Sequence, residues 1–355
     1  MGVNRAPGQP PLRYIPTLDG WRAVAISLVI VSHGLTGAFP AASKLGALGV
    51  SLFFALSGYL ICTLLLIERE DTGRISLTAF YKRRIFRIIP PALAYLVVLG
   101  LLGALGVVAL RKGELVSAFY AANYFHNRSW FTEHFWSLSM EEHFYLFWPA
   151  ILMLAGPRKA RISALVIVGA LLVYRPWGER TFDASSYQHT DMRLDSFLLP
   201  CVLAILLRQP AWRQRFVNLL RPWVCALLGA VVFVLAAFAA AHPAWGNAQK
   251  FIQAGILPLL IASTVLRPSF LGVLLELPVT RWVGRISYSL YLWQQLFLFH
   301  VQPGPSFWLR LPLIFLFAAC SFYLIERPMI RLGHRVERAS ALAPPLDLTV
   351  RVSAS

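Results

Sequence analysis

The chain has 355 residues, of which 57% are hydrophobic and only 14% are charged, and its mean hydropathy is +0.61. Because an ordinary soluble domain carries about 25% charged residues, this composition excludes a string of soluble domains and predicts helices surrounded by lipid. The net charge of +17 does not indicate a nucleic-acid partner, because the basic residues lie between apolar segments, as topology signals and contacts with anionic lipid do.

Long apolar segments recur along the whole chain. A membrane-spanning helix needs roughly 20 mostly apolar residues, and we therefore predict an all-α, polytopic transmembrane helical bundle of about ten spans. The predicted spans are 21–40, 46–67, 90–110, 137–155, 162–176, 192–207, 223–241, 250–266, 283–300 and 307–325. They divide the chain into a cytosolic N-terminal segment (1–20), a transmembrane domain (21–330) and a cytosolic, partly disordered tail (331–355).

Basic residues are distributed unevenly between the segments that connect these spans. If both termini are cytosolic, 24 of the 33 lysines and arginines lie on the cytosolic side, as the positive-inside rule requires. We expect a multi-pass protein of the cytoplasmic or inner membrane of a bacterium, without a cleavable signal peptide. The four cysteines lie far apart in apolar segments, which favours packing roles, and the histidine spacing predicts no metal site.

Ionisable residues inside spans are costly and usually face the interior of a helical bundle. Arg22 and His33 stand eleven residues apart on the first predicted span, so they share one helix face with His33 ~16 Å deeper. A buried neutral imidazole can take a proton from an alcohol. The alternative is a hydrogen-bonded core histidine with an arginine that reaches the membrane surface.

Two further segments combine polar residues with apolar surroundings. Ser57 and Gly58 form a small step in the second span, which permits close helix packing, although Ser57 could also bind substrate. Arg84 and Arg87 lie on one face of a cytosolic helix, where their guanidinium groups suit phosphate and where a topology signal is the alternative.

The segment W-S-L-S-M-E-E-H-F-Y-L-F-W-P begins at Trp136 and contains two adjacent glutamates. Since neighbouring side chains diverge on a helix, we expect at most one of Glu141 and Glu142 to face the core. That glutamate could orient His33 or bind an acceptor hydroxyl, and an interfacial aromatic belt with solvated acids is the alternative.

Other polar residues at predicted helix ends are candidates for substrate binding or structure. Arg193 and Asp195 lie at the entry of one span, Tyr288 and Trp293 lie in R-I-S-Y-S-L-Y-L-W-Q-Q, and Glu326 ends the last span in I-E-R-P. Glu326 could pair with a cytosolic arginine, and structural pairing is the default interpretation of these charges.

Taken together and in order, these strings identify a family. L-D-G-W-R-A-V-A with His33, G-V-S-L-F-F-A-L-S-G-Y-L-I, F-Y-K-R-R-I-F-R-I-I-P, W-S-L-S-M-E-E-H-F-Y-L-F-W-P, R-L-D-S-F, I-S-Y-S-L-Y-L-W and I-E-R-P resemble the acyltransferase-3 family of membrane O-acyltransferases over nearly the whole chain. The resemblance implies a ten-helix membrane domain that uses acyl-CoA, here acetyl-CoA, and acylates hydroxyls of sugars or related compounds.

The family's functional residues map onto this sequence individually. Its arginine and histidine fall on Arg22 and His33, and its paired arginines on Arg84 and Arg87. Its glutamate falls on Glu141 or Glu142, and its later arginine and glutamate on Arg193 and Glu326. The sequence departs from the family at Gln294, where a histidine is frequent, and we expect no C-terminal extracytoplasmic hydrolase-like domain of the kind that some relatives carry.

The resemblance leads to a specific mechanistic hypothesis. Acyl-CoA phosphates bind Arg84, Arg87 and Arg22, and His33 acts as general base on the acceptor hydroxyl or transiently carries the acyl group. Glu141 or Glu142 orients the imidazole. Two alternatives remain: a transporter or flippase for a lipid-linked glycan, and a non-catalytic membrane partner that kept the fold.

Overall fold

A computed structural model describes residues 14–37, 39, 42–111, 114–125, 127–181, 188–242, 245–299 and 305–342. Within these ranges the regular structure is helical and contains no strand, which confirms the all-α prediction. The helices are α1 (Pro16–Leu35), α2 (Ser43–Thr72), α3 (Leu77–Ala104), α4 (Glu114–Ala118), α5 (Trp130–Glu133), α6 (Phe135–Thr181), α7 (Asp195–Leu207), α8 (Pro210–Leu219), α9 (Pro222–Ala241), α10 (Gly246–Leu266), α11 (Phe270–Leu275), α12 (Pro278–Arg285), α13 (Ser287–Phe297), α14 (Pro305–Ser321) and α15 (Arg327–Leu342).

Several of these helices have the length and hydropathy of membrane spans. Among the described residues five qualify: α1, α2, α3, most of α10, and the continuous helix from Ser306 to Glu337. The pair α8 and α9 qualifies as a sixth if it is one span with its 75° bend. The protein is therefore a multi-pass membrane protein, while the count of ten spans and the cytosolic placement of both termini stay predictions.

Helix boundaries differ from the predicted spans at informative places. The helix α1 begins at Pro16 rather than at residue 21, because a proline suits the first helical position. The helix α6 contains two predicted spans, and Gly156 separates them with a φ of 72° and a ψ of 166° that break the helical path. Glycine reaches this positive φ without a steric penalty.

The predicted span 283–300 is not one straight helix, which corrects the prediction. The chain turns at Ile286 between α12 and α13, and α13 has only 11 residues. Eleven residues rise about 16 Å, roughly half of the hydrocarbon core of a bilayer. The turn places the start of α13 inside the bundle, where Ser287 and Tyr288 line a cavity.

The C-terminal region is more helical than predicted. A π-helical turn at Phe322–Glu326 joins α14 to α15, so residues 331–342 of the predicted tail continue a helix, and residues 343–355 lie outside the described part. An ion pair between Arg83 and Glu337 holds α15 against α3. The backbone of Gly333 also lies so close to Phe86 that a Cβ there would be 2.9 Å from the Phe86 Cβ.

The centre of the bundle is formed by α1, α2 and α7. In α2, 72% of the most apolar stretch of 18 residues is buried, against 17% of the corresponding stretch in the helix that runs from Ser306 to Glu337. The helix α2 therefore faces protein, while the C-terminal helix faces lipid. A Cβ added to Gly58 of α2 would lie 2.3 Å from the Phe197 backbone oxygen of α7. The predicted close helix approach at this step is therefore confirmed.

Candidate functional site

Polar residues from five helices meet around one cavity, which we call the arginine cavity. Its empty volume, which includes the solvent at its mouth, is about 690 Å³, and α1, α2, α3, α6 and α13 form its walls. The polar residues in its lining are Arg22, Ser57, Arg84, Arg87, Ser137, Glu141, Glu142, Tyr145, Ser287, Tyr288 and Tyr291. Seven of them are site residues that the sequence predicts from separate segments.

The three arginines of this cavity have few partners of their own. Arg22 lies 3.5 Å from Asp19, one turn earlier on α1. Among the described residues, neither Arg84 nor Arg87 has a carboxylate within the 4.0 Å of an ion pair. The guanidinium of Arg84 instead stacks on the ring of Tyr145, 4.3 Å from its centroid. Guanidinium groups that face a cavity without carboxylate partners are suited to bind an anion.

Both predicted glutamates line the arginine cavity, which corrects the expectation that only one would face the core. Glu141 and Glu142 diverge by about 100° on α6, but both line the cavity. The Tyr145 hydroxyl donates a hydrogen bond of 2.8 Å to Glu141 and lies 2.9 Å from the Ser57 Oγ. This network links α6 to α2 and fixes the ring on which Arg84 stacks.

His33 lies in a second cavity, which we call the histidine cavity. Its empty volume is about 840 Å³, and it lies deeper along α1 than Arg22. Besides His33, the lining consists of Val29, Ser32, Thr36, Ser43, Gly46, Ala47, Val50, Trp130, Glu133, His134, Trp136, Tyr291 and Gln295. The histidine is therefore not lipid-facing, and it is also not in the same cavity as the arginines.

The imidazole of His33 is held by a chain of side-chain hydrogen bonds. Its Nδ1 lies 2.8 Å from the Oε1 of Gln294, and the Gln294 Nε2 donates to the Oε1 of Gln295 at 2.9 Å. Gln295 in turn donates to the Trp130 backbone oxygen at 2.7 Å. Because the amide nitrogen of Gln294 is already a donor to Gln295, its oxygen accepts the Nδ1–H of His33. The Nε2 of His33 then carries the free lone pair.

This arrangement differs from the predicted one, in which Glu141 or Glu142 orients His33. The glutamates face the arginine cavity, and Gln294 takes the orienting position. Glutamine is a neutral partner that fixes a tautomer without adding a charge to the bundle interior. Gln294, where the resemblance to the family leads us to expect a histidine, is thus in direct contact with the predicted base.

Two residues line both cavities and form the partition between them. Val50 of α2 and Tyr291 of α13 belong to both linings. The hydroxyls of Tyr291 and Ser137 lie 2.6 Å apart, and the Tyr291 hydroxyl also lies 3.4 Å from the His134 backbone oxygen. The cavities therefore touch at one aromatic side chain held by hydrogen bonds, rather than through a thick protein wall.

Four predicted site residues lie outside both linings. Arg193 donates to Ser51 at 2.8 Å, and Asp195 pairs with Arg175 at 2.8 Å, so each joins α7 or its entry to a neighbouring helix. Trp293 packs edge-on against Tyr95, with ring centroids 5.5 Å apart. These contacts are structural.

Glu326, the fourth, occupies a different kind of position. It is buried, and it accepts a hydrogen bond of 2.9 Å from Ser289, while Arg87 and Arg22 attract it electrostatically. The predicted pairing with a basic group is therefore electrostatic and at a distance. Because Glu326 closes the π-helical turn before α15, the extra residue of that turn helps to aim the carboxyl inward, as such turns do at functional sites.

Sequence reasoning missed Tyr145, His134, Gln294 and Tyr291 as parts of the site. Tyr145 could have been found, because it follows Glu141 by one helical turn. The contact between His33 and Gln294 spans 261 positions, and nothing in the local sequence indicates it.

Known proteins resemble this chain over most of its length. The acyltransferase domain family matches residues 15–326. The O-acetyltransferase OatA of Staphylococcus aureus (strain NCTC 8325 / PS 47) is 30% identical over 91% of this chain and 58% of its own length. The peptidoglycan O-acetyltransferase OatA of Listeria monocytogenes is 29% identical over 90% of this chain and 56% of its own length.

These relatives are longer than the chain, which spans less than two thirds of their length. No solved structure matches it. The family match covers all of the residues that line the two cavities and also the candidates outside them, up to Glu326. The chain therefore belongs to the acyltransferase-3 family.

Proposed function

We propose that this protein is an integral membrane O-acyltransferase that moves an acetyl group from acetyl-CoA to a hydroxyl of a carbohydrate or a related acceptor. The observation that carries the proposal is the contact between an arginine cavity and a histidine cavity across one tyrosine. One cavity suits a polyanionic donor, and the other holds an imidazole with a free nitrogen. The names of the relatives, which are O-acetyltransferases, support acetyl as the group and oxygen as its acceptor.

The donor binds through its phosphates in the arginine cavity. Coenzyme A carries several phosphate charges at one end and the thioester at the other end of a flexible arm. Arg84 and Arg87 contact the phosphates, with Arg22 beside them, since these guanidinium groups line the cavity. The predicted cytosolic position of α3's N-terminal half supports a donor that arrives from the cytosol.

The thioester then passes Val50 and Tyr291 to reach His33. The Nε2 of His33 takes the proton of the acceptor hydroxyl, and the hydroxyl oxygen attacks the thioester carbonyl carbon. The C–S bond breaks, the thiolate of CoA leaves and takes the proton from His33, and the acetyl ester is complete. In a variant of this mechanism His33 carries the acetyl group before the acceptor does.

The glutamates contribute on the donor side of this reaction. Glu141 holds Tyr145, and Tyr145 presents the stacking face for Arg84, so the carboxyl positions a phosphate-binding arginine. Glu142 lines the same cavity and balances part of its positive charge between donor molecules.

The acceptor is a glycan or a hydroxyl-bearing metabolite at the membrane of a bacterial cell. The Listeria relative is named for peptidoglycan, which makes a cell-wall glycan the first candidate to test. A flippase for a lipid-linked glycan predicts no acyl transfer, and the same assay separates the two functions.

The test uses purified full-length protein in detergent with radiolabelled acetyl-CoA and a panel of glycan acceptors. We expect release of CoA together with label in the glycan, and loss of both in His33→Ala. His334→Ala is the matched control, because His334 is an exposed histidine on α15. Wild-type turnover in His33→Ala, or no transfer to any acceptor while CoA still binds, would refute the proposed reaction.

A further inference from the structure

The histidine cavity differs chemically from the arginine cavity. Among the residues that the structure describes, its lining contains no lysine or arginine, and Glu133 is the one carboxylate. That carboxylate lies 3.5 Å from Arg128, so its charge is already neutralised. A cavity whose described lining carries no unpaired charge favours a neutral ligand, because an ion that moved from water into this cavity would find no counter-charge.

The walls of the histidine cavity combine flat aromatic surfaces with hydroxyl groups. Trp130 and Trp136 line it together with Ser32, Thr36 and Ser43. The indole nitrogen of Trp130 donates to the Gln295 backbone oxygen at 2.9 Å, which fixes the plane of its ring. Rigid aromatic faces beside hydroxyls offer both surfaces that a sugar ring needs, an apolar face and hydrogen-bonding partners.

His134 is an unusual member of this lining. It is 3% exposed, and neither ring nitrogen has a hydrogen-bond partner among the residues that the structure describes. Three aromatic rings surround it, Tyr95 and Tyr291 at 5.5 Å and Phe135 at 4.9 Å between centroids. Buried polar atoms nearly always have partners, so an imidazole with two unpaired nitrogens at a cavity wall indicates a ligand that pairs with it.

We propose that the histidine cavity is the acceptor site for a neutral, hydroxyl-rich carbohydrate, and that His134 forms a hydrogen bond with that carbohydrate. This inference rests on the proposed function and assigns the acceptor, one of its two substrates, to the histidine cavity. The neutral acceptor binds beside His33, and the anionic donor binds beyond Tyr291. The acceptor hydroxyl then lies next to the free Nε2 of His33, while His134 holds a neighbouring part of the sugar.

The experiment measures the two binding events separately in the full-length protein. The sugar probe is the neutral trimer of N-acetylglucosamine, followed by saturation-transfer NMR, and the donor probe is CoA, followed by calorimetry. We expect the wild type to bind both at once. His134→Phe keeps an aromatic ring among its aromatic neighbours but removes both ring nitrogens. It should lower the affinity for the trimer by about tenfold, which is the contribution of one good hydrogen bond.

Two further variants test the two cavities separately. Ala47→Trp fills the histidine cavity from an exposed position of α2 and should abolish binding of the trimer. It keeps the proposal testable if His134→Phe does not fold. Arg84→Ala, in the arginine cavity, should lose CoA binding and keep trimer binding.

The proposal is overturned if the wild type does not bind the trimer, if CoA displaces it, or if both cavity variants bind it as the wild type does. These outcomes differ from a failure of the proposed reaction, in which both ligands bind to their separate cavities and no acetyl group is transferred.

Discussion

The hydrogen bond between His33 and Gln294 makes a quantitative test of the catalytic geometry possible. Gln294→Leu keeps a similar volume but removes the oxygen that accepts the Nδ1–H at 2.8 Å. It also removes the donor to Gln295, so the chain of hydrogen bonds from His33 to Trp130 is cut at one step. The imidazole is then free to rotate and to carry its proton on Nε2. A protonated Nε2 has no free lone pair and cannot take the proton of the acceptor hydroxyl.

The expected loss follows from two known effects. Removing the hydrogen-bonding partner of a metal-binding histidine typically costs 10–100-fold, and forcing the wrong tautomer in a serine protease triad costs about 10⁴-fold. Because Gln294 is neutral, its loss removes orientation but no charge stabilisation, and we expect about a 10²-fold fall in kcat. That fall corresponds to about 2.7 kcal/mol in the activation free energy. The KM for acetyl-CoA should not change, since Gln294 does not line the arginine cavity.

The assay is steady-state CoA release with acetyl-CoA and a saturating acceptor, with kcat and KM determined separately. Gln294→His should stay within about tenfold of the wild type, because a neutral imidazole nitrogen can accept the same hydrogen bond. Gln253→Leu is the matched control, since Gln253 is a glutamine of α10 that is 2% exposed and outside both linings. Wild-type kcat in Gln294→Leu, or an equal loss in Gln253→Leu, would contradict the role of Gln294.

The remaining predictions concern donor binding, the partition and packing. Arg84→Lys should raise the KM for acetyl-CoA by about tenfold with little change in kcat, because an ammonium lacks the planar fork that stacks on Tyr145 and binds a phosphate in a bidentate manner. A changed kcat at constant KM would argue against a phosphate contact. Val50→Trp should block acetyl transfer while calorimetry still detects CoA, and equal losses of both would place Val50 in the donor site instead. Gly58→Leu should lower the melting temperature in detergent, whereas Gly229→Leu, with open space around its Cβ position, should not.

Much of the donor side of the site is predictable from the sequence. Charged residues within apolar segments cost free energy, so Arg22 and one of the two glutamates, Glu141 or Glu142, are candidates for the bundle interior. Arg84, on a predicted cytosolic helix, is a candidate for binding phosphate. Helical periodicity also places Arg22 and His33 on one face of α1. The order of the motifs along the chain indicates the family, which the comparison with known proteins confirmed.

Only the tertiary structure shows how these residues are distributed between two cavities and which of them are in contact. Periodicity states which face a residue occupies, but not which helix lies opposite, and so it could not show that Tyr291 stands between the arginines and His33. It could not pair His33 with Gln294, because the two lie on helices far apart in sequence. Which side chains line one cavity is likewise a property of the packed bundle, and the packing places both Glu141 and Glu142 at the arginine cavity. Local sequence thus indicated the charged residues of the site and His33, and helix packing determined their further partners and the two compartments.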